Sequence, residues 1–331
     1  MLSDFEIATG SVPGRRHIGS GNLLLGKNNQ DANEFLASDR CLVAAVSDGC
    51  GSSAHSEVGA AIGSRLIVKA VYESVIEDGQ LLTPSDREEI FLRLERARCQ
   101  VLRQIDDIAV QMAGAGDRAG TSTGTGTDTG GGSEALAQVL QSYFLFTIVG
   151  VLILPAVTVV FSLGDGVFGL NDEIVEIGPF EGNAPPYLAY ALMRSAYEVA
   201  MLRFKIQKIV PTGKLKSVLI GTDGVIGLIG AEKACLPGKS RPVGPLSQLW
   251  LLDRFFGEPG ADLITAWLRQ INSQVTKLSA QGQREGDGNV PLLKREHGLL
   301  DDDTTVVVVR RKTDGTFRRG VFPSKSWETE T

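Results

Sequence analysis

Histidine and cysteine are scarce in this chain. There are three histidines, His17, His55 and His297, and four cysteines, Cys41, Cys50, Cys99 and Cys235, among 331 residues. With so few histidines, no set of Ser, His and Asp announces a covalent nucleophile of the triad kind. No two cysteines stand in CxxC spacing, so the sequence spells out no zinc ribbon or disulfide framework. Basic residues are outnumbered 33 to 39, and a net charge of −6 argues against binding along a phosphate backbone; no nucleic-acid partner is expected. No glycine-rich loop with a lysine follows a strand, which leaves a nucleotide-binding P-loop unsupported. The opening MLSDFEIATG lacks the charged-then-apolar order of a secretory signal, and the reading is a reduced, cytoplasmic protein.

One uncharged run, residues 143–163, approaches the length of a membrane span. It is rich in Val, Ile, Thr and Phe, and Pro155 interrupts it where a helix could not easily continue. Two strands, 144–154 and 157–163, joined by a tight turn at Pro155-Ala156 fit better, so no membrane partner is expected.

What the chain does have is aspartate at the ends of strands. Residues 42–46, LVAAV, read as a short buried strand, and Asp48-Gly49-Cys50-Gly51-Ser52-Ser53 breaks it with turn formers. The glycines around Cys50 free the backbone, so Asp48 and the Gly49 carbonyl can both face a cation. The strand at 157–163 stops at Gly164-Asp165-Gly166, and the strand at 217–220 at Gly221-Thr222-Asp223-Gly224. Asp31 lies in a polar break, and a hairpin would bring it near Asp48. Finally, Asp301, Asp302 and Asp303 precede the β-prone run 305–309, and three adjacent carboxylates repel one another unless a cation or solvent relieves them. Singly, each is as well explained by an ordinary turn. Converging, they would form an oxygen-only ligand set suited to Mg²⁺ or Mn²⁺ and unsuited to zinc.

Between these points, residues 54–76 read as a helix in which Gly59 and Gly63, each costing about 1 kcal/mol relative to Ala, point to close packing on a sheet. A second helix starts from a capping box of Ser85 and Glu88 and continues through Ile90, Leu94, Ala97, Val101, Ile105 and Ile108. Residues 113–133, AGAGDRAGTSTGTGTDTGGGS, have nothing to bury and read as a disordered Gly/Thr-rich insertion. A later helical stripe runs Ile264, Trp267, Ile271, Val275 and Leu278, with Trp267 as core.

The order NQDA (29–32), VSDGCGSS (46–53), SLGDG (162–166), GTDG (221–224) and DDTTVVVV (302–309) resembles the metal-dependent, type 2C serine/threonine protein phosphatases, most closely their bacterial branch. The resemblance implies an α+β fold, a four-layer α-β-β-α sandwich of two antiparallel sheets flanked by helices. It implies a catalytic domain over 1–311, a flap-like insertion at 228–256, and a polar tail at 312–331. It further implies that Asp48 bridges two Mn²⁺ or Mg²⁺ ions, with the Gly49 carbonyl on one and Asp223 and Asp302 on the other. Asp31 would act through bound water, and Asp165 would serve a third, weaker ion. Asp302 is chosen over Asp301 because the family pattern falls in register on residues 302–306.

The implied activity is hydrolysis of phosphoserine and phosphothreonine in proteins, by a metal-activated water and without a covalent phosphoenzyme, in opposition to a serine/threonine kinase. The rival reading is an inactive pseudophosphatase that binds and regulates. Two positions depart from the family. Cys50 stands where many eukaryotic members have a histidine, which leaves His55 or a water as the acid for the leaving group. Gly26 and Lys27 stand near the place of the phosphate-binding arginine, and Arg16, His17 or Lys27 would take that part.

Overall fold

The computed structural model describes residues 2–17, 27–76, 81–114, 131–193, 197–257, 262–279 and 292–312. Strand β1 (Phe5–Val12) precedes a hairpin of β2 (Asp31–Ala37) and β3 (Leu42–Asp48), followed by helices α1 (Ser56–Ile76), α2 (Arg87–Met112) and α3 (Gly131–Tyr143). Strands β4 (Ile148–Ile153), β5 (Val157–Leu163), β6 (Gly166–Leu170) and β7 (Glu173–Ile177) come next, and after an irregular stretch β8 (Lys205–Pro211) and β9 (Ser217–Gly221). Helices α4 (Gly224–Gly230), α5 (Gln248–Leu251) and α6 (Leu263–Ile271) lead to a small hairpin of β10 (Val275–Ser279) and β11 (Leu292–Glu296), then to β12 (Thr304–Arg311).

A strand covered on both faces has no polar side to show, and this explains the uninterrupted apolar runs of β3 and β12. Two antiparallel five-stranded sheets, ordered β2-β3-β4-β5-β8 and β1-β12-β9-β6-β7, lie face to face. Alternate residues of each strand serve different layers. Leu42, Ala44 and Val46 of β3 meet Val307 and Val309 of β12 between the sheets. Val43 and Ala45 turn outward to α1, α2 and α3, while Val306 and Val308 turn the other way to α4, α5 and α6. The result is the expected four-layer α-β-β-α sandwich. Each fully buried valine of β12 adds about 1.5–3 kcal/mol of transfer free energy.

Of the apolar run at 143–163, Tyr143 ends α3, residues 144–147 link it to the sheet, and the expected first strand begins only at Ile148; the rest is the β4–β5 hairpin, closed by Leu154 N–H donating to the Val157 carbonyl at 2.8 Å. Among the described residues no helix is long and apolar enough to cross a membrane. The two glycines of α1 are close approaches: a Cβ on Gly59 would collide with the Tyr143 carbonyl, and one on Gly63 with the Phe146 ring. Trp267 is core, 7% exposed and edge-on to Phe255 at 5.6 Å.

Three local expectations are corrected. The Ser85–Glu88 capping box does not form: α2 begins at Arg87 with Asp86 before it, and the Asp86 carboxylate accepts from the Thr83 N–H and hydroxyl, both at 2.8 Å. Of the Gly/Thr-rich stretch, residues 115–130 fall outside the described residues, but Gly131, Gly132 and Ser133 open α3, whose Leu136 and Leu140 are buried one turn apart. The helical stripe of α6 stops at Ile271, and Val275 and Leu278 belong to β10. Asn272 ends the helix by turning its side chain away to staple two distant segments, its Nδ2 donating to the Pro13 carbonyl at 2.7 Å and its Oδ1 accepting from Leu300 N–H at 3.1 Å.

Candidate metal centre

The acidic corners fall at one end of the sandwich because of strand direction. Asp31 opens β2 and Asp48 closes β3, and the antiparallel register places them directly opposite each other, where paired side chains share a face. Asp165 sits where the chain leaves β5 in one sheet for β6 in the other. That crossing needs glycine: Gly166 has φ +142°, and a Cβ there would stand 2.7 Å from the Gly221 carbonyl oxygen. Asp223 follows β9 and precedes α4, and Asp302 lies just before β12, the strand hydrogen-bonded to β9.

Burial and mutual repulsion mark the convergence. Loss of water drives the Asp48 carboxyl far above its usual range, and Asp31, Asp223, Asp165 and Asp302 add to the rise as neighbouring negative charges. Asp31 is raised by burial and by Asp303, with a hydrogen bond from Thr222 opposing. Asp223 reaches about 6 through burial and the charges of Asp165 and Asp302, and burial raises Asp165. Two carboxylate oxygens, Asp31 Oδ1 and Asp165 Oδ1, are buried with no hydrogen-bond partner among the described residues. The Gly49 carbonyl also accepts no hydrogen bond among them, whereas its neighbours do, Asp48 O from Thr147 N–H and Cys50 O from Ser53 N–H. Unpartnered oxygens amid repelling carboxylates fit a hard divalent cation, and Mg²⁺ and Mn²⁺ suit that donor set.

A network behind the carboxylates holds them. The Thr222 hydroxyl donates to Asp31 Oδ2 at 2.7 Å and accepts from Thr305 N–H at 3.0 Å, which locks one Asp31 oxygen and leaves the other free. Asp303 is a strut. Its Oδ1 accepts from Gly14 N–H at 2.7 Å and lies 2.8 Å from His17 Nδ1, and its Oδ2 accepts from Gln30 N–H at 2.5 Å. His17, Asp302 and Asp303 offer ligand atoms within 4.8 Å of one another, but Asp303 is already engaged through both oxygens, so Asp302 is the acid of this corner left facing Asp48 and Asp223.

The phosphate and acid candidates separate. Arg16 is 72% exposed and lies 3.5 Å from Asp301, which also pairs with Arg15. His17 is held by Asp303. Lys27 reaches the loop after Asp48, its Nζ donating to the Gly51 carbonyl at 2.5 Å. His55 stacks on Tyr143 at 4.9 Å and shares a hollow with Lys27, Asn28, Gln30 and Glu57, a lining that includes none of the five aspartates.

Sequence reasoning missed Tyr187, which sits on the irregular stretch between β7 and β8. It is buried, and its hydroxyl is pushed upward by burial, by Cys50 and by the charges of Asp48 and Asp165. Burial raises the Cys50 thiol, but hydrogen bonds from Ser52 and Tyr187 outweigh it and hold the thiol below its ordinary value. No periodicity or turn signal marks Tyr187. Residues 228–256, expected as a flap, supply Leu236, Val243, Leu249, Trp250 and Phe255 to the layer that α6 shares over the second sheet.

A family model described as Protein phosphatase 2C matches residues 14–250. No curated protein sequence matches. Among solved structures, the chain is similar to serine-threonine phosphatase 2C from Toxoplasma gondii, at 13% identity over 93% of this chain and 95% of that one, with a TM-score of 0.47. It is also similar to the serine/threonine phosphatase Stp1 from Staphylococcus aureus, at 12% identity over 93% and 96%, TM-score 0.42. The photosystem II phosphatase PBCP aligns at 16% identity over 93% and 99%, TM-score 0.44.

Proposed function

Since the chain belongs to the protein phosphatase 2C family, we propose that it hydrolyses phosphoserine and phosphothreonine in proteins, with Mn²⁺ or Mg²⁺ and without a covalent phosphoenzyme. The observation that carries this reading is the cluster of five aspartates from separate strand ends, Asp31 buried, Asp48, Asp165 and Asp223 half-buried and Asp302 exposed, whose charges converge on Asp48 and two of which hold oxygens with no partner among the described residues. Bound divalent cations supply a water acidified enough to act near neutral pH and positive charge for the phosphoryl oxygens.

The chain's own residues do the rest. Asp48, the Gly49 carbonyl, Asp223 and Asp302 would hold the ions, and Asp165 would serve a further, weaker one. Asp31, fixed through Thr222, keeps Oδ1 free to orient a water by hydrogen bonding. Lys27, exposed above the Gly49–Gly51 loop, is the cation best placed among the three phosphate candidates to meet a phosphoryl group. Tyr187 closes the site against water beside Cys50. His55 stands apart, so protonation of the leaving alkoxide falls to solvent within the site. The partners that follow are a phosphorylated protein and an opposing serine/threonine kinase.

The test is turnover of p-nitrophenyl phosphate and a phosphothreonine peptide by wild type and Asp48→Asn, with Mn²⁺, with Mg²⁺ and with excess EDTA. Metal-dependent turnover that disappears in the variant is expected. A folded wild type that is inert with both metals would instead favour a pseudophosphatase that binds phosphoproteins.

A further inference from the structure

A second feature lies one residue away from the carboxylates. A cavity of about 1190 Å³ opens between α2, the β5–β8 edge and the irregular stretch after β7. Its back wall is the turn that carries Asp165: Gly164 and Gly178 line it, and a Cβ on Gly178 would stand 3.5 Å from the Asp165 Cβ. Pro186 lines the cavity and the next residue, Tyr187, faces Asp48 and Asp165. Successive Cα atoms are about 3.8 Å apart, so this wall is a single residue thick.

The chemistry of the lining is two-sided. Phe91, Phe180, Met201 and Phe204 give an apolar floor, and Met201 and nearby Val199 remain 45% and 71% exposed. The rim is basic. The side chains of Arg87 and Lys205 are exposed and make no ion pair or hydrogen bond among the described residues, while Arg203 lies 3.6 Å from Glu95. Against these three cations the lining holds one carboxylate, Glu88. Sites for small ligands run to roughly 300–1,000 Å³ and enclose their occupant. This cavity is larger and open along one side, which suits a chain passing through.

We propose that the cavity receives the segment of the phosphoprotein substrate next to the phosphorylated residue, one with apolar side chains for the floor and carboxylates for the rim. The proposal rests on the phosphatase reading and adds what the substrate looks like beside its phosphate. A peptide whose phosphoresidue enters over Asp48 crosses the Pro186–Tyr187 wall and meets the apolar floor, with Arg87 and Lys205 above it.

The experiment compares three substrates, p-nitrophenyl phosphate, a short phosphothreonine peptide, and the same peptide extended by a Phe/Leu- and Glu-containing segment on either side. They are tested on wild type and on Arg87→Glu/Lys205→Glu. Neither change threatens the fold, since Lys205 is on an edge strand and a glutamate at the first turn of α2 is favoured by the helix dipole. One extended peptide is expected to exceed the short one in kcat/KM by about tenfold in wild type, and to lose about five- to tenfold of it in the variant through KM. Turnover of p-nitrophenyl phosphate should be unchanged. Equal kcat/KM for short and extended peptides, or an advantage that survives charge reversal, overturns the proposal and leaves the phosphatase reading standing. If no substrate turns over, the phosphatase reading fails. Anisotropy of the fluorescein-labelled extended peptide in EDTA then decides the cavity separately, tighter binding to wild type than to the variant supporting it and equal binding overturning it.

Discussion

Helix α2 and the acidic end of the sandwich both take charge out of water, and they treat it in opposite ways. On α2, Arg93 is only 1% exposed, but its Nε lies 2.7 Å from Glu89 and its Nη1 donates to the Ser74 carbonyl. Arg98 donates from Nε and Nη2 to both oxygens of Glu95. Opposite charges are matched inside one element, three or four residues apart, as helix geometry allows. At the acidic end, Asp31, Asp48, Asp165, Asp223 and Asp302 are all of one sign and come from separate elements; the other four raise the pKa of Asp48, and Asp165 and Asp302 raise that of Asp223. The α2 pairs are complete within the protein. The carboxylates have no counter-charge of that kind, and on the proposed reading cations supply it; without them the cluster costs the fold stability.

The sharpest break in this contrast is Asp48→Asn. Turnover is expected to fall by about 10³-fold or more, since an amide cannot bridge two cations. The melting temperature in EDTA should rise at the same time, because one buried charge and its repulsions are gone; about 1 kcal/mol corresponds to roughly 2–4 °C for a chain of this size or somewhat smaller. Arg93→Ala acts on stability in the opposite direction and leaves the metal site alone. It removes a buried guanidinium that holds the Ser74 carbonyl and the half-exposed Glu89, and should lower stability by about 1–3 kcal/mol in a denaturant titration, with Mn²⁺ affinity unchanged.

A pH series sharpens the comparison without mutation. The folded-state pKa of Asp223, about 6, lies above its ordinary 3.8, and Asp31 and Asp48 shift the same way. The metal-free fold therefore holds protons the unfolded chain releases. This stabilisation is fully present below the ordinary carboxylate range and is lost as pH rises through 6, at about 3 kcal/mol for Asp223 alone. Cations replace those protons, so the gain in melting temperature on adding Mn²⁺ should grow from about pH 5 to about pH 7.5. A gain independent of pH would place the metal elsewhere.

Smaller effects test the supports. Thr222→Val removes the hydroxyl that fixes Asp31 and should cost about 1–2 kcal/mol of stability and roughly tenfold in kcat. Arg16→Ala, at an exposed pair with Asp301, should change stability by less than about 0.5 kcal/mol. It should also change kcat/KM less than Lys27→Ala does, measured on the same phosphopeptide.

What could be read in the sequence follows from how each element is buried. Strands β3, β5, β9 and β12 are covered on both faces, so they appear as apolar runs, the first three stopping at or beside an aspartate and β12 starting from one. The fold class, carried by the resemblance at those stops, holds in the structure. Strand β1, which ends in ATGSV, is half-exposed over most of its length and leaves no run, and β6 is five residues with two glycines. The α3 stripe was masked by the glycine-rich stretch before it. At the candidate site, the aspartates stand out because turn residues flank them. Which of the three adjacent acids faces the site depends on partners distant in sequence, since Asp303 is occupied by Gly14, His17 and Gln30. Tyr187 is positioned by an irregular segment that carries no local pattern at all.

The central claim is that the acidic end is built for divalent cations. Calorimetric titration of Mn²⁺ into the EDTA-stripped, folded protein at neutral pH tests it most directly. The account predicts at least two bound ions per chain, accompanied by proton release and a rise in melting temperature, with binding reduced in Asp48→Asn. A folded protein that takes up no Mn²⁺ or Mg²⁺, or takes them up equally well without Asp48, would contradict it.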